Sequence, residues 1–288
     1  MSDPQSVSGS QGAGSEAVNS WEMVATEWEN NRDRVFDGFR PVSDWLVEQV
    51  RPEPGHTILE LAAGPGETGF LAAERIGPSG RLISTDLAPT MVQAARRGAE
   101  ARQLSNVECR VMDAQQIDLP DDAVDAVISR LGLMLVPDPR ATLSEARRVL
   151  RAGGRLAYAV MGTPDRNPWM SLMVGALMQA GHPPVGENPF QLGGVFGMSS
   201  PDINRDLLTA AGFSDVLAEE LPGTMPFESI EDYWSFQAAV AGPVRVTIEK
   251  MTDDEVAAAR GALELMMAPL ESNGGYELPT LLVVVTAA

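Results

Sequence analysis

A short apolar run that ends in an acid and then breaks into closely spaced glycines constrains this chain more than any other feature: Thr57-Ile58-Leu59-Glu60-Leu61-Ala62-Ala63-Gly64-Pro65-Gly66-Glu67-Thr68-Gly69. Ile58, Leu59 and Leu61 suit a strand covered on both faces, while Gly64 and Gly66 allow a bend in which backbone approaches a ligand closely. The next run, Phe70-Leu71-Ala72-Ala73-Glu74-Arg75, favours helix, so unpaired amide N–H groups of a first helical turn would point into the bend. A nucleotide-like ligand is therefore the first expectation, and its identity has to come from residues elsewhere.

Downstream, strand and helix signals alternate. Residues 81–85 read as a second strand ending at Asp86, followed by a helix with Pro89 in its first turn and Met91, Ala94 and Ala95 inward. Residues 107–111 give a third strand ending at Met112-Asp113-Ala114, and residues 124–129 a fourth. Asp138 and Pro139 suit the start of a helix that buries Leu143, Ala146 and Leu150 and stops at Gly153-Gly154; residues 156–160 form a fifth strand. This rhythm predicts an α/β chain with a doubly wound, mainly parallel sheet, in which ligands sit outside the carboxyl ends of the strands.

The flanks read differently. Residues 1–19, rich in Ser, Gly and Gln, predict a disordered tail, and 20–54 a helical cap in which Trp21, Val24, Ala25 and Trp28 share one face and Ser43 caps a further helix. The core is expected over 55–163 and again over 201–222, with a strand at 213–217. Residues 164–200 read as an irregular cap insertion, 223–276 as a helical cap with a helix over 253–270, and 277–288 as the last core strand. No internal repeat is evident.

Charge and composition remove several classes. With 21 Lys+Arg against 40 Asp+Glu, formal charge −19, the chain lacks the basic footprint that nucleic acid or an anionic membrane surface requires. The single cysteine, Cys109, precludes an intramolecular disulfide, and with only His56 and His182 beside it no metal site is expected. No apolar run reaches the roughly 18 residues of a membrane span, and the first residues lack a signal-peptide pattern, so a cytoplasmic location is expected.

Gly64-x-Gly66-x-x-Gly69, with Asp86 about 20 residues on, also fits a dinucleotide fingerprint, so a nicotinamide-dependent oxidoreductase is one reading. Glu60 and Asp113 favour another. A charged Glu60 at the end of a buried strand needs compensation, which a ligand ammonium would give directly or through water, and Asp113 could accept from an exocyclic amine. Acids at three successive strand ends suit a cofactor with ammonium, ribose and adenine groups but no pyrophosphate, namely S-adenosylmethionine.

Five stretches strengthen this choice: Ile58-Leu59-Glu60-Leu61-Ala62-Ala63-Gly64-Pro65-Gly66, Ser84-Thr85-Asp86-Leu87, Met112-Asp113-Ala114, Asp125-Ala126-Val127-Ile128-Ser129-Arg130 and Arg148-Val149-Leu150-Arg151-Ala152-Gly153-Gly154. In them the chain resembles the class I S-adenosylmethionine-dependent methyltransferases, most closely the branch with the ubiquinone/menaquinone biosynthesis enzymes. The resemblance implies a Rossmann-like, seven-stranded sheet with its last strand antiparallel, and 201–222 and 277–288 as its final hairpin. It places Glu60, Ala62, Gly64 and Gly66 around the methionine part of the cofactor, Asp86 on the ribose, Leu87 against adenine, Asp113 and Ala114 at the adenine amine, Met91 nearby, and Ser129 and Arg130 near the methyl group. Ala62 departs from the family's usual first glycine, Ala88 stands where Ser is frequent, and Ala152 where Pro is usual.

Methyl transfer from a sulfonium relies on placement and a dry cap, so the fold leaves the acceptor open. The aromatic and Met content of the cap points to a largely apolar or aromatic small molecule, methylated on O or N and less readily on C. Trp21, Trp28, Trp169, Met173, Phe196 and Trp234 are the candidate pocket walls, though such residues also serve simply to hold a cap to its core. His182, in the Pro/Gly-rich part of the cap, is the candidate general base; Asp165, Glu187 and Tyr276 are weaker candidates, and His56 reads as structural. A catalytically silent cofactor-binding module on the same fold is the further alternative. The sequence sets no oligomeric state.

Overall fold

The computed structural model describes residues 21–184 and 188–288; the expected tail at 1–19 and the candidate Glu187 lie outside them. Three helices lead in: α1 over 21–30, α2 (Arg32–Gly38) and α3 (Arg40–Gln49). The central alternation follows as β1 (Thr57–Glu60), α4 (Glu67–Ile76), β2 (Arg81–Asp86), α5 (Pro89–Ala101), β3 (Val107–Val111), β4 (Val124–Arg130), α6 (Pro139–Val149) and β5 (Leu150–Met161). Next come α7 (Pro168–Gln179), α8 (Pro201–Ala210), β6 (Leu217–Phe227), α9 (Ile230–Val240), α10 (Gly242–Ile248), α11 (Asp253–Met267), β7 (Glu271–Ser272) and β8 (Gly275–Ala287).

The strands form one sheet in the order β3-β2-β1-β4-β5-β8-β6. β1 to β5 are parallel, β8 runs antiparallel to both β5 and β6, and β7 is a short return on β8. Ile58 and Leu59 on β1, and Ala126, Val127 and Ile128 on β4, are fully buried, which is why these strands read as continuous apolar runs. The order reverses between β1 and β4. Right-handed crossovers on the two sides of that point carry their helices to opposite faces, the arrangement in which ligands sit outside the carboxyl ends of the strands.

Several elements differ from expectation for local reasons. Ser43 does not cap a helix: α3 already starts at Arg40 with Pro41 in its first turn, and the buried Ser43 hydroxyl pairs with Thr68 Oγ1 at 3.0 Å, tying α3 to α4. The strand expected at 213–217 is instead β6, beginning at Leu217 and running through Pro222 and Pro226 to Phe227, into the stretch expected to be helical cap. Its position at the sheet edge permits both prolines, because an edge strand has one row of backbone groups that no ladder requires. The segment 164–200 contains α7, whose Trp169, Leu172, Met173, Ala176 and Leu177 form one buried face, while exposed Val174 and Met178 make the other face apolar too and blur the contrast. Helix α6 ends at Val149, and the double glycine falls within β5, where the register against β4 shifts between Val124 and Ala126.

The cap is held by polar contacts as well as packing. The Met173 N–H donates to Tyr233 Oη at 3.0 Å, and Gln237 Nε2 donates to the Trp169 carbonyl at 2.6 Å, joining α7 to α9. Thr252 and Glu255 form a reciprocal capping box at the start of α11. Helix α1 straps core to cap: Glu29 pairs with Arg97 of α5, and Trp28 Nε1 donates to the Val240 carbonyl of α9 at 3.0 Å. Among the described residues no helix is long and apolar enough to cross a membrane.

Candidate cofactor site at the strand reversal

The turn after β1 is built from left-handed backbone. Ala62, Gly64 and Gly66 have φ of 49°, 54° and 88°, and the Ala63 N–H donates to the Thr85 carbonyl at 2.9 Å, fastening the turn to β2. At Gly64 a side chain would meet nothing within 4 Å, so the turn opens onto free space there. Ala62 occupies a conformation that disfavours a side chain. It is accommodated because Gly132 stands directly opposite, where a Cβ would overlap that of Ala62.

Glu60 is 2% exposed, and both of its carboxylate oxygens are engaged by protein: Oε1 accepts from the Gly69 N–H at 2.8 Å and Oε2 from Ser84 Oγ at 2.9 Å. The acid therefore braces the first turn of α4 against β1 and β2. Gly69 is required by this contact, since a Cβ there would overlap Glu60 Oε2. Burial pushes the Glu60 carboxyl up to about 8, against the opposing effect of its two hydrogen bonds.

Asp86 ends β2 and is only half-buried. Its Oδ2 accepts from the Gly64 N–H at 2.8 Å and its Oδ1 from the Ala88 N–H at 3.0 Å, so it fixes the glycine turn and the entry to α5 together. Burial raises its carboxyl above the usual range, partly offset by backbone N–H donors. Leu87 beside it is half-open. Met91 is buried with Ala25 and Ala88 under Trp21 and Trp28, whose rings meet edge-on at 6.4 Å. Those two tryptophans thus seat α1 on the start of α5, next to Asp86. Asp113, after β3, accepts from the backbone N–H and the side-chain amide of Gln115 at 2.8 and 3.1 Å, with buried Ala114 between them.

Ser129 is fully buried, and its hydroxyl donates to the Leu61 carbonyl at 2.8 Å, locking β4 to the exit of β1. Arg130 follows as a half-buried side chain whose Nη1 is sealed from solvent without a hydrogen-bond partner. Three residues join the site without a signal in the sequence. Glu22 on α1 accepts from the Thr90 N–H at 2.8 Å, capping α5 and bringing a second negative charge toward Asp86. Glu67 is 2% exposed between Arg32 and Arg102. Neither these acids nor Gly132 belongs to a motif whose spacing announces the role; only the tertiary contact reveals them.

The expected pocket walls do not gather into one constellation. Met173 is fully buried; Trp169 packs edge-on against Phe39 at 5.6 Å and donates from Nε1 to Asn167; the Arg260 guanidinium covers Trp234 at 4.6 Å. These three hold the cap together, because large side chains supply the area that joins helices of a small layer. Phe196 stays partly open and stacks on Phe190, in a loop where Gly193 abuts Val136 and Pro137 beyond β4. His182 is not turned toward the strand ends by any contact among the described residues: its Nε2 pairs with Glu255 at 3.1 Å, both partners solvent-accessible, joining the end of α7 to the start of α11. Asp165 is exposed, Tyr276 is 9% exposed on β8, and His56 Nδ1 accepts from the Glu53 N–H at 3.2 Å, a loop contact. Among the described residues no group of three or more His, Cys, Asp or Glu is placed to hold a metal ion.

A family described as a methyltransferase domain matches residues 52–181. Over 242 residues, which is 78% of this chain and 82% of the relative, the sequence is 31% identical to the nocamycin O-methyltransferase of Saccharothrix syringae. It is 32% identical over 123 residues to the demethylmenaquinone methyltransferase of Listeria welshimeri, covering 43% of this chain and 52% of that one. Among solved structures, the YcgJ protein of Bacillus subtilis superposes with a TM-score of 0.57 at 15% identity, covering 86% of this chain and 97% of that one, a likeness of fold.

Proposed function

This chain belongs to the S-adenosylmethionine-dependent methyltransferases, and from that premise we propose that it methylates an oxygen, or a nitrogen, of a largely apolar or aromatic small molecule. The observation that supports the cofactor's placement is the join between Asp86 and Gly64: one carboxylate oxygen receives the Gly64 N–H at the point where that glycine opens onto free space. Each carboxylate oxygen can accept more than one hydrogen bond, so Asp86 can take ribose hydroxyls while still holding the turn. Leu87 would lie on the adenine, with Asp113 and Ala114 at its amine. The residues present fit such a group.

The bound cofactor supplies a methyl group on a positively charged sulfur, an already activated leaving group. What the chain contributes is placement. Glu60 acts as an internal brace, since it is 2% exposed and its two oxygens serve Gly69 and Ser84 out of a ligand's reach, and it shapes the turn that the cofactor lies against. Ser129 fixes the spacing of β4 and β1. Helix α1, seated on α5 through Trp21, Trp28 and Met91, covers the adenosine side, and the loop bearing Phe196 stands toward the acceptor side. Holding acceptor and methyl in register contributes about 7–11 kcal/mol in favourable systems, and a dry cap keeps water from competing. An acidic phenol or enol loses its proton readily to solvent, so this arrangement needs no base from His182.

Oxygen is favoured over nitrogen because a relative similar over 78% of this chain is an O-methyltransferase. Calorimetric titration with S-adenosylmethionine and, separately, NADH tests the cofactor, and release of S-adenosylhomocysteine across a panel of aromatic hydroxyl and amine acceptors tests the reaction. Binding of the first ligand alone, followed by release from a hydroxyl acceptor, is the expected result. Binding of NADH alone overturns the proposal, and cofactor binding with no release from any acceptor identifies a silent binding module.

A further inference from the structure

Arg130 closes β4 as a cation without a partner. No nitrogen of its guanidinium makes a hydrogen bond or ion pair among the described residues, and Nη1 is buried in that condition. The acids that influence it are Glu60 and Glu67. Both are already engaged, Glu60 by Gly69 and Ser84, Glu67 by Arg32 and Arg102. A buried charge left unpaired is costly, and folded proteins retain one where something else completes it.

Its position says what that would be. In the sheet β2 lies on one side of β1 and β4 on the other. With the ribose and adenine taken by Asp86 and Asp113 at the ends of β2 and β3, the amino-acid half of the cofactor has to extend over the glycine turn toward β4. Arg130 stands there: it ends β4, and the two acids that influence it, Glu60 at the end of β1 and Glu67 at the start of α4, flank the glycine turn. We propose that Arg130 grips the carboxylate of the cofactor's amino-acid half, through the planar fork of donors that matches a carboxylate. Arg130 as a whole is only partly buried, and its flexible stem lets the guanidinium turn to meet a ligand. Arg130 is thereby a cofactor-positioning residue at the carboxylate, not one that lies at the methyl group.

This role of Arg130 rests on S-adenosylmethionine being the cofactor, and the test separates the two. Calorimetry on the full chain compares S-adenosylhomocysteine, its decarboxylated analogue and 5′-methylthioadenosine, with wild type, Arg130→Met and Arg130→Lys. Wild type is expected to bind S-adenosylhomocysteine about 10- to 100-fold more tightly than the decarboxylated analogue, the range a charge-assisted hydrogen bond gives. Arg130→Met removes that preference while leaving 5′-methylthioadenosine affinity unchanged, and Arg130→Lys restores part of it. Because the guanidinium has no hydrogen-bond or ion-pair partner among the described residues, ligand-free Arg130→Met should unfold at or above the wild-type temperature. If the Met variant does not fold, the wild-type comparison and the Lys variant decide. A wild type indifferent to the carboxylate, or a Met variant that keeps the preference, overturns the proposal, as does a rise in acceptor KM with cofactor affinity unchanged, which would give Arg130 to an acid group on the acceptor. Failure of wild type to bind any of the three ligands removes the cofactor assignment instead.

Discussion

Ala62 and Gly132 face one another so closely that a Cβ on Gly132 would overlap the Ala62 Cβ. The first has φ 49°, a conformation that usually selects glycine, and the second has an ordinary negative φ of −102°. The chain has thus placed its glycine across the gap from the strained residue.

Gly132→Ala should therefore destabilise through overpacking alone, by about 1–3 kcal/mol. Adding Ala62→Gly should recover part of the loss, with a coupling of at least about 0.5 kcal/mol in a double-mutant cycle of urea unfolding. Strict additivity would show that the two residues do not share the space.

Glu60 predicts a pH dependence of stability. Its folded carboxyl titrates at about 8, above the ordinary value of 4.5, so the folded state holds a proton that the unfolded state releases. The contribution is full below the unfolded value and is lost as pH rises from 4.5 through about 8. Glu60→Gln should keep the bonds to Gly69 and Ser84, the serine hydroxyl turning to suit, and flatten this part of the profile. Chemical denaturation across that window checks it; an unchanged slope would assign the dependence to other groups.

Asp86→Ala removes the acceptor for both the Gly64 and Ala88 N–H groups as well as for ligand hydroxyls. Affinity for S-adenosylhomocysteine should fall at least about 10-fold, as expected for loss of charge-assisted hydrogen bonds. Titration calorimetry gives the answer, and an unaltered affinity would remove Asp86 from the ribose site.

His182→Ala tests the opposite case. Its pair with Glu255 is solvent-accessible and screened by water, so its loss should leave the fold intact. Turnover of an accepted substrate should stay within about 2-fold of wild type, because a general base typically contributes a factor of about 100 or more. A loss of that size would return His182 to the reaction.

Particular residues show how far the chain can be read in advance. Strand ends at Glu60 and Asp86 are legible because burial on both faces forces buried runs, and an acid that ends such a run stands out, whereas Asp113 follows the half-open edge strand β3. The length of β6 is not: Pro222 and Pro226 argue against a strand until the sheet places that segment at an edge. Nor is α7, since its exposed face carries apolar Val174 and Met178, which masks the period of the buried face.

The sequence alone determined the parallel core, the glycine turn after β1 and the set of acids, since backbone dihedral demands and strand burial are local and restrict residue type position by position. The tertiary structure alone decided what each acid does. Glu60 is turned inward to Gly69 and Ser84, Asp86 remains half-open beside Gly64, and Arg130 is left without a partner. Those outcomes depend on which donors arrive from β2, α4 and β4, segments far apart in the chain. The same reason separates Trp21 and Trp28, seated on the start of α5 beside Asp86, from Trp169 and Trp234, which hold the cap: aromatic residues look alike in sequence, and only their neighbours tell them apart.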